Sequence, residues 1–179
     1  MRTEPVARRY ARALFELAEE RQALDDVAGA LAAAVDVLGE PRIERVLAGP
    51  IDRQRKRSLV QQIAEDLRAP AVLRDFLGVL AEGDRLDQLP GIRGIFADML
   101  DRQRGITRAT VRTAAPLAGD LLAELTRGFG AVTGKQVIAQ VEVDPELIAG
   151  AIVEVEGRVY DGSLRTQLHK LERQMATGE

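Results

Sequence analysis

Apolar positions recur every three to four residues up to about Gly105, and every two residues after it. The first region opens with "VARRYARALFELAEER", where Val6, Tyr10, Leu14 and Leu17 fall on one face of a helix. Ala7, Ala11, Phe15 and Ala18 form a second apolar stripe beside it. One stripe suffices to dock a helix on a core, so the other either widens the buried face or meets a partner.

Further helices follow at short intervals. Leu24 to Leu38 is Ala-rich and stops at Gly39, and Pro41 to Leu47 closes at Gly49-Pro50. Asp52 is placed to cap the next helix, on which Leu59, Ile63 and Leu67 share a face. Val72, Phe76, Val79 and Leu80 gather on one side of the following segment, which breaks at Gly83-Asp84. The last helix of the region carries Ile92, Ile95, Phe96, Met99 and Leu100. Five or six helices joined by loops of a few residues predict a bundle over residues 1–105.

From Ile106 the period is that of a strand. Ala109, Val111 and Thr113 alternate with Arg108, Thr110 and Arg112; Val137, Ala139, Val141 and Val143 alternate with Gln136, Gln140 and Glu142. The helical stretch between them is long enough to be the crossover of two parallel strands. "LIAGAIVEVEGRVYDG" reads as a strand, a tight turn at Glu156-Gly157 and a short returning strand, followed by an amphipathic helix over 164–175. The fold expectation is therefore α+β in two domains: an N-terminal six-helix bundle, then a small C-terminal α/β domain over 106–179. The second is marginal in size and is expected to lean on a partner or on the first domain.

Composition narrows the chemistry. The chain has 46% apolar residues, 3% aromatics and no Trp, so its core is built from Leu, Ala, Val and Ile. A net charge of −3 gives no basic field for nucleic acid. The absence of Cys removes disulfides, thiolate catalysis and cysteine metal sites. The N-terminus lacks the apolar core of a signal peptide, and "VAGALAAAVDVL", broken by Asp36, is too short to span a bilayer. A soluble chain is expected, held at any membrane by something else.

Three stretches invite a chemical reading. "GFGAVTGK" ends in Gly-Lys like a phosphate loop, but Phe129 stands where the first glycine belongs and Gln136 where Ser or Thr belongs. Its glycines also end a helix instead of opening one, so a helix stop and turn is expected. "RQRKR", Arg53 to Arg57, is the basic run, without interleaved aromatics for base stacking. It reads as a solvated helix face, with an acidic partner or a nucleic acid as the alternatives. In "VYDGSLRTQLHKL", Asp161, Ser163 and the sole histidine, His169, suggest a small hydrolase or phosphotransferase. Six residues of helix put Ser163 and His169 about 600° and roughly 9 Å apart, on different faces. A turn at Asp161-Gly162 with Ser163 capping the last helix is the expectation, even though Thr166 stands where a capping box prefers Glu or Gln.

Taken in order, "VARRYARALFELA", "RLDQLPGIRGIF", "VRTAAPL" and "VEVDPELIAGAIVEVEGRVYDGSLRTQLHKL" resemble the delta subunit of F-type ATP synthases, the family of the mitochondrial oligomycin-sensitivity-conferring protein. The resemblance spans essentially the whole chain; Ala149-Gly150 stands where the family often has two glycines. It implies a non-catalytic stator subunit, one copy per complex, without cofactor or metal, that joins the catalytic head to the peripheral stalk. The first and fifth helices would grip the N-terminal helix of an alpha subunit, here with Tyr10, Ala13, Leu14, Leu17, Phe76, Val79 and Leu80. The C-terminal domain would hold the end of subunit b, with Leu164, Leu168 and Leu171. The implied location is peripheral, on the cytoplasmic face of the bacterial inner membrane.

Overall fold

The computed structural model describes residues 4–117, 119–168 and Met175. The chain is α+β and divides into two compact units, Met1–Leu100 and Asp101–Glu179. The first unit is built from α1 (Glu4–Glu20), α2 (Leu24–Leu38), α3 (Pro41–Ala48), α4 (Arg53–Asp66), α5 (Ala71–Glu82), a 3-10 turn (Leu86–Gln88) and α6, which starts at Leu89 and runs to Gln103. Local chemistry sets its boundaries. Asp52 Oδ1 accepts the amides of Gln54 at 2.8 Å and Arg55 at 3.0 Å, which caps α4. Pro41 occupies the first turn of α3, where its missing N–H costs nothing.

The core of this unit runs from α1 to α6. Leu14 and Ala18 of α1, Leu31 of α2, Val60 of α4, Leu73 and Leu77 of α5, and Ile92 and Phe96 of α6 are fully or almost fully buried. Phe15 and Phe96 meet at 5.4 Å between ring centroids. α5 lies at the centre, packed on α1, α2 and α4. Among the described residues only Ala71, Asp75, Val79 and Glu82 of this helix are exposed.

The second unit holds β1 (Ile106–Thr113), α7 (Gly119–Thr133), β2 (Gln136–Val143), β3 (Ala151–Val155) and β4 (Arg158–Asp161) in a sheet of order β2-β1-β3-β4. β1 and β2 are parallel, joined by α7 as the crossover; β3 is antiparallel to β1 and to β4. Register places Val141, Val111, Val153 and Tyr160 in one row across the sheet. α7 covers that face with Leu125 and Phe129, and Phe129 meets the Tyr160 ring at 5.1 Å. The β1 alternation is as expected, with Ala109, Val111 and Thr113 inward and Arg108 and Arg112 exposed.

The glycines of "GFGAVTGK" lie further inside the helix than expected. α7 runs through Gly128 and Gly130, and only Gly134, at φ +69°, makes the left-handed stop. Gly130 has a packing reason, since a Cβ there would sit 3.2 Å from the Lys135 carbonyl.

Candidate partner-binding site

The two stripes of α1 have separate fates. Ala7, Ala11, Phe15 and Ala18 are buried, so the second stripe is the core face. Of the first stripe, Leu14 joins them at 0% exposure, Val6 and Tyr10 are half-buried, and Leu17 is 44% exposed. Ala13 beside them is also exposed. On α5, Leu80 is fully buried and Phe76 nearly so, while Val79 is 54% exposed. The Tyr10 and Phe76 rings meet edge to face at 6.2 Å, which brings the two helices together at this surface. Leu14 and Leu80 therefore offer no area to a partner and belong to the core. Ala13, Leu17 and Val79, with half-buried Tyr10 beside them, are the accessible apolar side chains of this surface.

A concavity of about 940 Å³ opens elsewhere, between the ends of α2 and α3 and the start of α6, with Leu38, Leu47, Ile51 and Leu89 in its wall. Lys56 lines it and is bonded to Asp84 at 2.5 Å. That hydrogen bond holds the Asp84 carboxyl below its ordinary pKa. The basic run is largely neutralised from within the unit: Arg55 faces Asp52 at 3.6 Å, Lys56 binds Asp84, and Arg57 binds Glu82. A solvated face was the expectation for this run. Arg53, Arg55 and Arg57 are exposed in keeping with it, while the Lys56 side chain is only 13% exposed, and two links tie α4 to the end of α5 and the loop after it.

The Asp161–Ser163 segment is a latch. Asp161 Oδ1 accepts the Ser163 amide at 2.9 Å, and its Oδ2 accepts the Thr166 hydroxyl at 2.8 Å. Ser163 Oγ accepts the Thr166 amide at 3.4 Å, a long cap bond. Thr166 thus completes the cap by giving its hydroxyl to Asp161 in place of the Glu of a capping box. Ser163 is 2% exposed, so no substrate reaches its hydroxyl. His169 and Leu171 lie outside the described residues. Leu164 and Leu168 are both exposed on the helical run 164–168.

Sequence reasoning passed over Ile148, which is 64% exposed. It stands one residue before Ala149, whose carbonyl accepts the Leu164 amide at 2.9 Å. Its only sequence signal was a bulky apolar residue in a turn, next to small ones. Among the described residues no cluster of His, Asp and Glu suits a metal, and no helix is long and apolar enough to cross a membrane.

The chain matches the ATP synthase delta (OSCP) subunit family over residues 6–175. It is 36% identical to ATP synthase subunit delta of Anaeromyxobacter sp. (strain Fw109-5), covering 95% of this chain and 96% of that one. It is 38% identical to the subunit of the same name from Rhodospirillum rubrum, covering 95% and 92%. A chain in the cryo-EM structure of the Toxoplasma gondii mitochondrial ATP synthase hexamer shares the fold, with a TM-score of 0.68 at 23% identity over 95% of this chain and 97% of that chain. The chain belongs to the ATP synthase delta (OSCP) subunit family and is a non-catalytic stator subunit of that complex.

Proposed function

We propose that the chain joins the catalytic head to the peripheral stalk through two separate grips. The first unit, read as a six-helix bundle, holds the N-terminal helix of an alpha subunit along α1 and α5. The second unit holds the end of subunit b against Leu164 and Leu168, and against Leu171, which lies outside the described residues. The observation that carries the first grip is the exposure of Ala13, Leu17 and Val79, with half-buried Tyr10 beside them, over a core that is already filled by Leu14, Phe76 and Leu80. These residues present an apolar strip to an amphipathic helix, the helix-in-groove mode of recognition. A joint under torque needs slow dissociation, and buried apolar contact supplies it. One copy per complex, on the cytoplasmic face of the bacterial inner membrane, completes the reading.

The test is a titration of the full chain with a synthetic peptide of the alpha subunit's N-terminal segment. Val79→Asp puts a charge in the strip and is expected to weaken binding roughly tenfold or more, as loss of a central apolar contact does. Its thermal melt is expected to stay put, because Val79 is on the surface. Equal affinity for both proteins removes the groove.

A further inference from the structure

We infer that the groove between α1 and α5 sets the direction of the helix it holds, through Arg9 on one wall and Asp75 on the other. This rests on the docking reading above. Tyr10 and Phe76 meet between the walls, and each has an exposed charged neighbour: Arg9 on α1, Asp75 on α5. The Arg9 guanidinium lies 6.0 Å from the Tyr10 ring centroid, at the outer limit of a cation–π contact. Neighbouring charges are already engaged: Arg12 bonds Glu16 at 2.9 Å, Arg74 faces Glu65 at 3.9 Å, and Glu82 binds Arg57. Neither Arg9 nor Asp75 has a hydrogen bond or ion pair with another described residue. The apolar strip is thus bordered by an uncompensated cation on one side and an uncompensated anion on the other.

A helix seated by its apolar stripe has two flanks, and turning it end for end exchanges them. If one flank is acidic and the other basic, one direction pairs both charges across the groove and the other opposes like charges on both sides. Such juxtaposition governs orientation more than affinity. The partner helix is therefore one with carboxylates along the flank facing Arg9 and cations along the flank facing Asp75.

The experiment uses the full chain and one synthetic peptide that keeps the alpha subunit's N-terminal apolar positions and carries Glu along one flank and Lys along the other. Because the chain has no Cys, a single Glu20→Cys near the exposed end of α1 takes one nitroxide, and a second nitroxide marks the peptide N-terminus. Pulsed dipolar spectroscopy then reads the distance between them. Wild type is expected to show one dominant distance, with the minor orientation roughly fivefold to tenfold less populated at low ionic strength. Arg9→Glu combined with Asp75→Lys is expected to exchange the two populations. Both positions are on the surface, and a thermal melt confirms the fold of the double variant. An unchanged distance distribution in a double variant that still binds overturns the inference and leaves the docking reading standing. Peptide binding that is absent, or insensitive to Val79→Asp, overturns both.

Discussion

The two units bury their apolar residues to different depths. In the first, helices close around α5 from several sides, and side chains as large as Phe96 and Leu73 reach full burial. In the second, among the described residues only one face of a four-stranded sheet is covered, and its buried cluster is Ala109, Val111, Val153 and Val155. α7, which does the covering, has no buried residue of its own. What stabilises the second unit is more a matter of backbone pairing and tight chain crossings than of core volume. A unit of the first kind tolerates partners on its rim without rearranging, whereas one of the second kind has exposed apolar side chains such as Ile148, Leu164 and Leu168 still to cover.

The largest test of this contrast is Phe96→Ala. Removing a fully buried ring from the first unit is expected to cost about 3–5 kcal/mol. In urea, followed by far-ultraviolet circular dichroism, the helical transition of the full chain moves to lower denaturant while a sheet-unit probe, Tyr160 fluorescence in a Tyr10→Phe background, moves little. If both move together, the units do not unfold separately. Next in size is Gly150→Ala. Gly150 has φ +90°, and a Cβ there would lie 2.4 Å from the Gly162 carbonyl oxygen. Strained backbone of this kind costs on the order of 1–3 kcal/mol, and here the loss is expected in the second transition with the first unmoved. Protection of the Leu164 amide from hydrogen exchange falls with it. An unaltered second transition would mean that the crossing contributes nothing.

The smallest effect is electrostatic. The Lys56 hydrogen bond lowers the folded Asp84 pKa, so its contribution is present above the ordinary carboxylate range and fades as pH falls through the lowered value. Melting temperature of the first unit is expected to drop slightly more in acid for wild type than for Asp84→Asn. Parallel pH curves would show that this exposed carboxylate does not matter to the fold.

Sequence periodicity carried the helices and strands well because each depends on neighbours a few residues away. The Asp52 cap, the Gly39 stop and the β1 alternation are all local chemistry, and all were legible. Which stripe of α1 faces inward was not, because that depends on where α5 packs, some sixty residues on. The basic run is solvated as read, but its ties back to the unit were not legible, for the same reason. Its counter-charges, Glu82 and Asp84, are 25 and 28 residues distant. In the candidate groove, residue type announced Tyr10 and Val79, but the burial that separates them from Leu14 and Leu80 belongs to the folded unit. Asp75 and Arg9 look like ordinary surface charges until their neighbours are seen to be paired.

The Gly150 crossing has a mechanical corollary. The Gly162 amide bonds the Ala151 carbonyl at 3.0 Å and the Leu164 amide bonds the Ala149 carbonyl at 2.9 Å, so the β3–β4 ladder continues to the first residue of the helix at 164–168. No free length of chain separates sheet from helix. A pull on that helix meets no slack: it is delivered within two residues to β3, an interior strand paired on both sides, and is shared across the sheet before any part of the chain can pay out.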